Sequence, residues 1–313
     1  MNQSRSTGDS RSADTWPHLP YGEWKESCAT LHMWTQIIGK TRLALAPMEN
    51  HWWNVPLYVT SRGLTTSPMP VDDRTFTVDF DFVDHNLLVR TSQGARRALP
   101  LIPRSVAEFH AEYMAVLHAL NIDVEMLARP VEVERAIPFA ADNEHSAYDS
   151  EYVNRFWRLL VQADRVLKEF RGRFVGKSSP VHFFWGSFDL ALTRFSGRPA
   201  PEHPGGAPNV ANWVMREAYS HEVISVGFWP GSAQMQEAAF YAYAYPEPAG
   251  LAKAGVRPSG AYYSRELSEF VIPYEEVRKA NSPDQALLQF LESSYEAAAE
   301  LAGWDRGALE RRR

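Results

Sequence analysis

Hydrophobic residues recur at helical spacing in four stretches of the chain and at alternate positions in much of the remainder, which predicts an α+β protein. Between Tyr21 and Lys40, the residues Trp24, Cys28, Leu31, Thr35 and Ile38 fall on one helical stripe. Ser105 followed by Glu108 forms a capping-box pattern, predicting a helix from there to about Leu120. The strongest helical pattern, capped by Asp149 or Ser150, aligns Val153, Phe156, Leu160, Leu167 and Phe170 and keeps Arg158, Arg165 and Lys168 away from that face. A last helix starts at Ser282-Pro283, with proline at the first helical position, and runs to about Leu301.

The clearest strand is Arg74 to Val83, where Phe76, Val78, Phe80 and Phe82 alternate with Thr75, Thr77, Asp79 and Asp81. Asp84-His85-Asn86 reads as a turn into a return strand, Leu87 to Thr91, and Ser92-Gln93-Gly94 turns the chain into Arg96 to Ile102. Pro56 to Thr66 and a segment near Val124 to Val133 also read as strands, and 134–149 as a connection. In the second half, Val181 to Phe195 reads as one long strand, 196–211 as a Pro/Gly-rich loop, and His221–Phe228, Ala238–Tyr245 and Tyr262–Ile272 as further strands.

These elements divide the chain into a disordered polar lead (1–15), two units of helix, four strands and helix (16–148 and 149–305), and a charged tail (306–313) that ends in a solvated arginine run, Arg311-Arg312-Arg313. The two units, which may equally form one compact domain, are open to reading as a divergent internal duplication with pseudo-two-fold symmetry. Trp24, Gly39 and Pro47 align with Trp157, Gly172 and Pro180, and His51 and Trp53 with His182 and Phe184. The alternative is two α+β units that share a pattern without shared descent.

Composition narrows the function. A net charge of −6 offers no basic field for nucleic acid. No apolar run approaches the roughly 18 residues of a membrane span. The lead lacks an apolar core like that of a signal peptide, so a cytoplasmic protein is expected. Cys28 is the only cysteine, which excludes an internal disulfide and thiolate metal clusters, and it reads as a buried thiol. The run Gly172-Arg173-Phe174-Val175-Gly176-Lys177-Ser178 resembles a phosphate loop but has one residue too few between its glycines and follows a helix.

Candidate chemistry concentrates in the second unit. On a single strand from Val181, His182, Phe184 and Arg194 would point one way, and Trp185 and Asp189 the other. Asp189, mid-strand among aromatics, needs a partner: a ligand, a metal, or a structural arginine such as Arg194. His182, His203 and His221, with Asp189 and Glu222, offer nitrogen and oxygen ligands suited to Zn or Fe, or else are ordinary hydrogen-bonded histidines. On the first helix, His32, Gln36 and Lys40 form a polar ridge that either lines a cleft or faces solvent. Asn50-His51-Trp52-Trp53-Asn54 adds aromatic surface with polar tips.

The runs Leu31 to Lys40 (Leu-His-Met-Trp-Thr-Gln-Ile-Ile-Gly-Lys), His182 onward (His-Phe-Phe-Trp-Gly-Ser-Phe-Asp-Leu-Ala) and Ala-Tyr-Ser-His-Glu from Ala218 resemble an uncharacterised bacterial family catalogued as a domain of unknown function. The resemblance covers nearly the whole chain after residue 16 and carries no activity with it. The leading expectation is therefore a small-molecule enzyme with a pocket between the units. Asp189, His221 and Glu222 are the expected catalytic groups; His32, Lys40, His51, Trp185 and Arg194 the ligand contacts; and His182, His203 and His221 the ligands of a divalent metal. The loop 196–211 would be its lid. The alternatives are a non-catalytic small-molecule-binding protein with an aromatic-lined cavity, or a structural protein. Oligomeric state is open.

Overall fold

The computed structural model describes residues 15–232 and 235–311, so the expected lead, apart from Thr15, and the end of the tail lie outside the described residues. The fold is α+β with two antiparallel sheets. Helix α1 (Tyr21–Leu45) leads into strands β1 (Tyr58–Val59), β2 (Gly63–Thr65), β3 (Met69–Val71), β4 (Arg74–Asp81), β5 (Asn86–Thr91) and β6 (Arg96–Pro100), then α2 (Val106–His118). Helix α3 (Ser150–Gly172) opens the second half. Strands β7 (His182–Phe184) and β8 (Asp189–Pro199), helix α4 (Asn212–Ala218), β9 (His221–Trp229), β10 (Ala239–Tyr245), β11 (Tyr262–Ser264) and β12 (Glu269–Pro273) follow. Helices α5 (Tyr274–Arg278), α6 (Pro283–Leu301) and α7 (Arg306–Leu309) complete it.

The first sheet has the order β1-β2-β4-β5-β6, with β3 also paired to β4; the second runs β11-β12-β10-β9-β8-β7. Each sheet thus has six strands where four were expected. Three segments expected as single strands are hairpins: 56–66 (β1–β2), 181–195 (β7–β8) and 262–272 (β11–β12). The last two, like the β4–β5 hairpin, close through a four-residue turn whose final residue is left-handed without being glycine: His85, Phe188 and Ser268, with φ of 51°, 59° and 58°. The turns at 185–188 and 265–268 escape a sequence reading because no Gly or Pro marks the left-handed position. The strand expected near Val124–Val133 is irregular chain instead. Ser282 makes no side-chain cap. The described part of the charged tail is tied to the end of α3, since Val175 N donates to Leu309 O at 2.8 Å and Arg311 N to Arg173 O at 2.9 Å, while Arg311 remains exposed.

Both halves share one core. The two sheets meet where Leu57 and Phe183 exchange backbone hydrogen bonds of 2.9 and 2.8 Å. Trp16 packs on Phe240 and Tyr274, far along the chain. The capping box at Ser105–Glu108 and the Asp149 cap are both formed. Among the described residues no helix is long and apolar enough to cross a membrane.

Helix α1 is buried on almost all sides, so its polar residues must be satisfied inside the protein. Thr30, Thr35 and Thr41 donate to carbonyls of the preceding turn, and Tyr113 donates to Thr41. Cys28 is buried, and burial pushes its thiol pKa up. Gly39 lies flat against Trp185; a Cβ there would come within 2.2 Å of the indole. Gly39→Ala gains about 1 kcal/mol of helix propensity. Even so, overpacking is expected to leave a net loss of about 1–3 kcal/mol. Urea unfolding followed by tryptophan fluorescence reads the difference, and a neutral or stabilised variant would refute this packing.

Candidate functional site

The second sheet has two unlike faces. Toward α3 and α6 it presents Leu190, Leu192, Ile224, Val226, Phe240, Ala242, Phe270 and Ile272, all buried. The opposite face follows from the register. Ala191 stands opposite both His182 and Gly227, Asp189 opposite Phe184, Thr193 opposite Ser225, and Tyr241 and Tyr243 opposite Gly227 and Ser225. His182 and Asp189 therefore share a face, contrary to the single-strand reading, because the hairpin folds one back beside the other. Arg194 lies on the helix face instead.

Asp189 is 5% exposed and accepts hydrogen bonds from Ser187 Oγ and, on its other oxygen, Tyr241 OH. Tyr241 belongs to β10, and its hydroxyl reaches Asp189 on β8 across Gly227 of β9. A Cβ at Gly227 would sit 2.3 Å from that hydroxyl, so the glycine makes the contact possible. Trp229 stacks on Tyr241 at 4.3 Å, Tyr219 OH and Tyr243 OH are 2.7 Å apart, and Thr193 meets Ser225 at 2.9 Å.

Two more carboxylates converge here. Glu269 extends the same face from β12, and its Oε2 is buried without a hydrogen-bond partner among the described residues. Glu132, in the irregular segment, has a left-handed backbone (φ 58°). Its residue is exposed as a whole, but its carboxylate end turns in over Gly186, where a Cβ would meet Oε1 at 2.0 Å. The polar ridge of α1 holds both pieces. His32 Nε2 donates to Gly186 O at 2.8 Å, and its ring stacks on Phe188. The Gln36 amide bonds Val131 twice, donating to its carbonyl at 2.8 Å and accepting from its N–H at 2.9 Å. The loop after β8 closes the other side: Glu132 N donates to Pro208 O and Asn209 Nδ2 to Val133 O.

Burial, and after it the charge of Asp189, pushes Glu132 up to about 7 and Glu269 up to about 8. Burial raises Asp189 to about 6 despite the bonds from Ser187 and Tyr241, which favour its ionised form. Burial likewise lowers His32 to about 4, so it is a neutral brace at neutral pH.

The other expected site residues are dispersed. His51 joins His221, with rings 5.6 Å apart; its Nδ1 donates to Ala218 O and its Nε2 accepts from Lys177 at 2.7 Å. His51 and Trp52 are consecutive left-handed residues (φ 58° and 62°), and the Trp52 indole donates to Val214 O. His203 stacks on Tyr219 at 4.7 Å, at the rim of the acidic face. Glu222 turns away to pair with Arg198 at 2.7 Å, beside a cavity of about 230 Å³. Arg194 is enclosed by the rings of Phe170, Tyr295 and Phe174. Lys40 is buried near the Trp185 ring, and burial lowers it to about 8; Trp185 donates to Val55 O.

His182, His203 and His221 thus occupy three different environments, which corrects the expectation of one metal centre built from them. Among the described residues no three His, Cys, Asp or Glu side chains stand where they could hold a metal ion. Sequence reasoning missed Glu132, Tyr219, Tyr241, Tyr243, Lys177 and Glu269. The signal for two of them was the alternation of tyrosines through 241, 243 and 245, which places their polar tips on one face.

Raised carboxyl pKa values have a thermodynamic consequence. A carboxyl group whose folded pKa lies above its unfolded value stabilises the fold at low pH, and that contribution is lost as pH rises through the folded pKa. Glu269→Gln is therefore expected to melt higher than the wild type at pH 8, by about 2 °C or more, with the gain shrinking toward pH 5. Melting curves across that range check it; a gain independent of pH would contradict the assignment.

A family model described as Family of unknown function (DUF5996) matches residues 16–311. No curated protein and no solved structure matches the chain.

Proposed function

Since the chain belongs to the DUF5996 family over residues 16–311, and that membership carries no activity, we propose from the site itself that the protein is a small-molecule enzyme acting on an organic cation. The observation that carries this reading is the convergence of Asp189, Glu132 and Glu269, in which the charge that acts most on Glu132 and Glu269 is that of Asp189 and none of the three forms an ion pair among the described residues. Carboxylates kept together without a counter-cation hold protons in the empty protein, and a bound ammonium group replaces those protons. The walls suit such a ligand, because the ring faces of Tyr219, Tyr241, Tyr243 and Trp229 attract cations. Glu132 comes from the first half and the remaining groups from the second, which supports a site between the two halves.

The chemistry offered is proton transfer. Asp189, fixed by Ser187 and Tyr241, is the group placed to exchange a proton with the nitrogen of the bound cation. The Tyr219–Tyr243 hydroxyl pair and the Thr193–Ser225 pair line the same face as donors and acceptors for a polar substrate.

Isothermal titration with methylamine, putrescine, choline and benzylamine, each in two buffers of different ionisation enthalpy, tests the reading. At least one amine is expected to bind with proton release, seen as a buffer-dependent enthalpy, and Asp189→Asn is expected to weaken it tenfold or more. Absence of binding at millimolar amine, or binding unchanged in Asp189→Asn, would overturn the proposal.

A further inference from the structure

A second group of buried side chains lies at the seam between the sheets, and its charge is of the opposite sign. His182 is 0% exposed, and neither ring nitrogen has a hydrogen-bond partner among the described residues. Arg42, on the last turns of α1, is 7% exposed; its guanidinium bonds Tyr58, but its Nε and Nη1 are without partners among the described residues. The two are neighbours: Arg42 is the charge that acts most on His182, followed by Arg171. Tyr58 connects them, with its ring 5.6 Å from the His182 ring and 5.6 Å from the Arg42 guanidinium carbon. Trp53 packs on the other side of His182 at 5.9 Å and carries Lys177 over its ring at 5.2 Å.

A buried guanidinium retains its charge and requires acceptors, and a buried imidazole has at least one N–H to donate. The carboxylate that acts most on Arg42 is that of Glu49, an exposed residue that forms no ion pair with it among the described residues. These nitrogens, three of them donors while His182 is neutral, lie amid positive charge and aromatic walls and are matched by an acceptor that brings negative charge with it.

We propose that Arg42 and His182 form the floor of a binding site for an oxyanion, a phosphate or carboxylate group, walled by Tyr58 and Trp53. This site is separate from the acidic face and does not rest on the amine reading. Arg42 donates to the anion from its free nitrogens, and His182 adds an N–H. Lys177, across Trp53, adds long-range attraction.

The probes are sodium phosphate and sodium acetate, titrated into the full-length protein against sodium chloride at matched ionic strength, with melting temperature as the readout. A saturable rise with one of the two anions is expected, and which one saturates identifies the group recognised. Arg42→Met and His182→Phe, which keep the bulk of each side chain, are each expected to weaken that anion at least fivefold; the second serves where the first fails to fold. General salt stabilisation is neither saturable nor dependent on these residues. A wild type without a saturable rise for either anion, or variants that retain it in full, would overturn the site.

Discussion

The two hydrogen bonds between the Gln36 side chain and the backbone of Val131 are the constraint on which the candidate site depends. Gln36 is wholly buried, so its amide must be satisfied inside the protein, and Val131 supplies both a donor and an acceptor. A typical bond of this kind contributes about 1 kcal/mol net, but leaving a buried amide unpaired costs about 1–3 kcal/mol. The pairing therefore fixes an otherwise irregular segment. One turn along the helix, His32 binds Gly186 O, and Gly39 lets Trp185 lie flat against α1. The same helix thereby brings Glu132 of the first half over the hairpin that ends in Asp189, and the acidic cluster exists because the two are pressed together.

Electrostatically the second sheet is graded along one face. Carboxylates and tyrosines occupy the end near Asp189 and Glu269. His182, His51 and Lys177 lie toward the first sheet, where Arg42 and Arg171 add charge. Neither cluster is neutralised by the other. Arg194, the arginine nearest in sequence to Asp189, is committed to the helix side, with Nη2 donating to Phe170 O and three rings around its guanidinium. Unneutralised charge of this kind weakens a fold, and functional sites are where proteins tolerate it. The left-handed backbones of His51, Trp52 and Glu132 fall within the same region.

Much of the fold was legible in the sequence. The apolar stripes of α1, α3 and α6 and the alternation through Phe76 to Phe82 are direct consequences of burial on one face, and the Ser105–Glu108 box marks a helix start by local chemistry alone. The hairpins were not legible. Their turns run Trp185-Gly186-Ser187-Phe188, where the left-handed residue is an aromatic within an apolar run, and Arg265-Glu266-Leu267-Ser268, a polar stretch with neither Gly nor Pro in which the left-handed residue is Ser. That single error reversed the facing of Asp189 relative to His182. The site was half legible: Asp189 stood out as a carboxylate among aromatics, and the ridge His32–Gln36–Lys40 as polar residues on an apolar helix. Glu132 and Glu269 carried no local signal, because only tertiary packing brings them to Asp189.

The central claim is that Asp189, Glu132 and Glu269 hold their protons to higher pH than exposed carboxyls do. Carboxyl carbon-13 NMR of protein labelled in aspartate and glutamate, with the resonances assigned through Asp189→Asn, Glu132→Gln and Glu269→Gln, measures this directly. The account predicts that these three carboxyls titrate near 6, 7 and 8, and that removal of Asp189 lowers the other two. Three carboxylates fully ionised by pH 5, as exposed groups are, would contradict it.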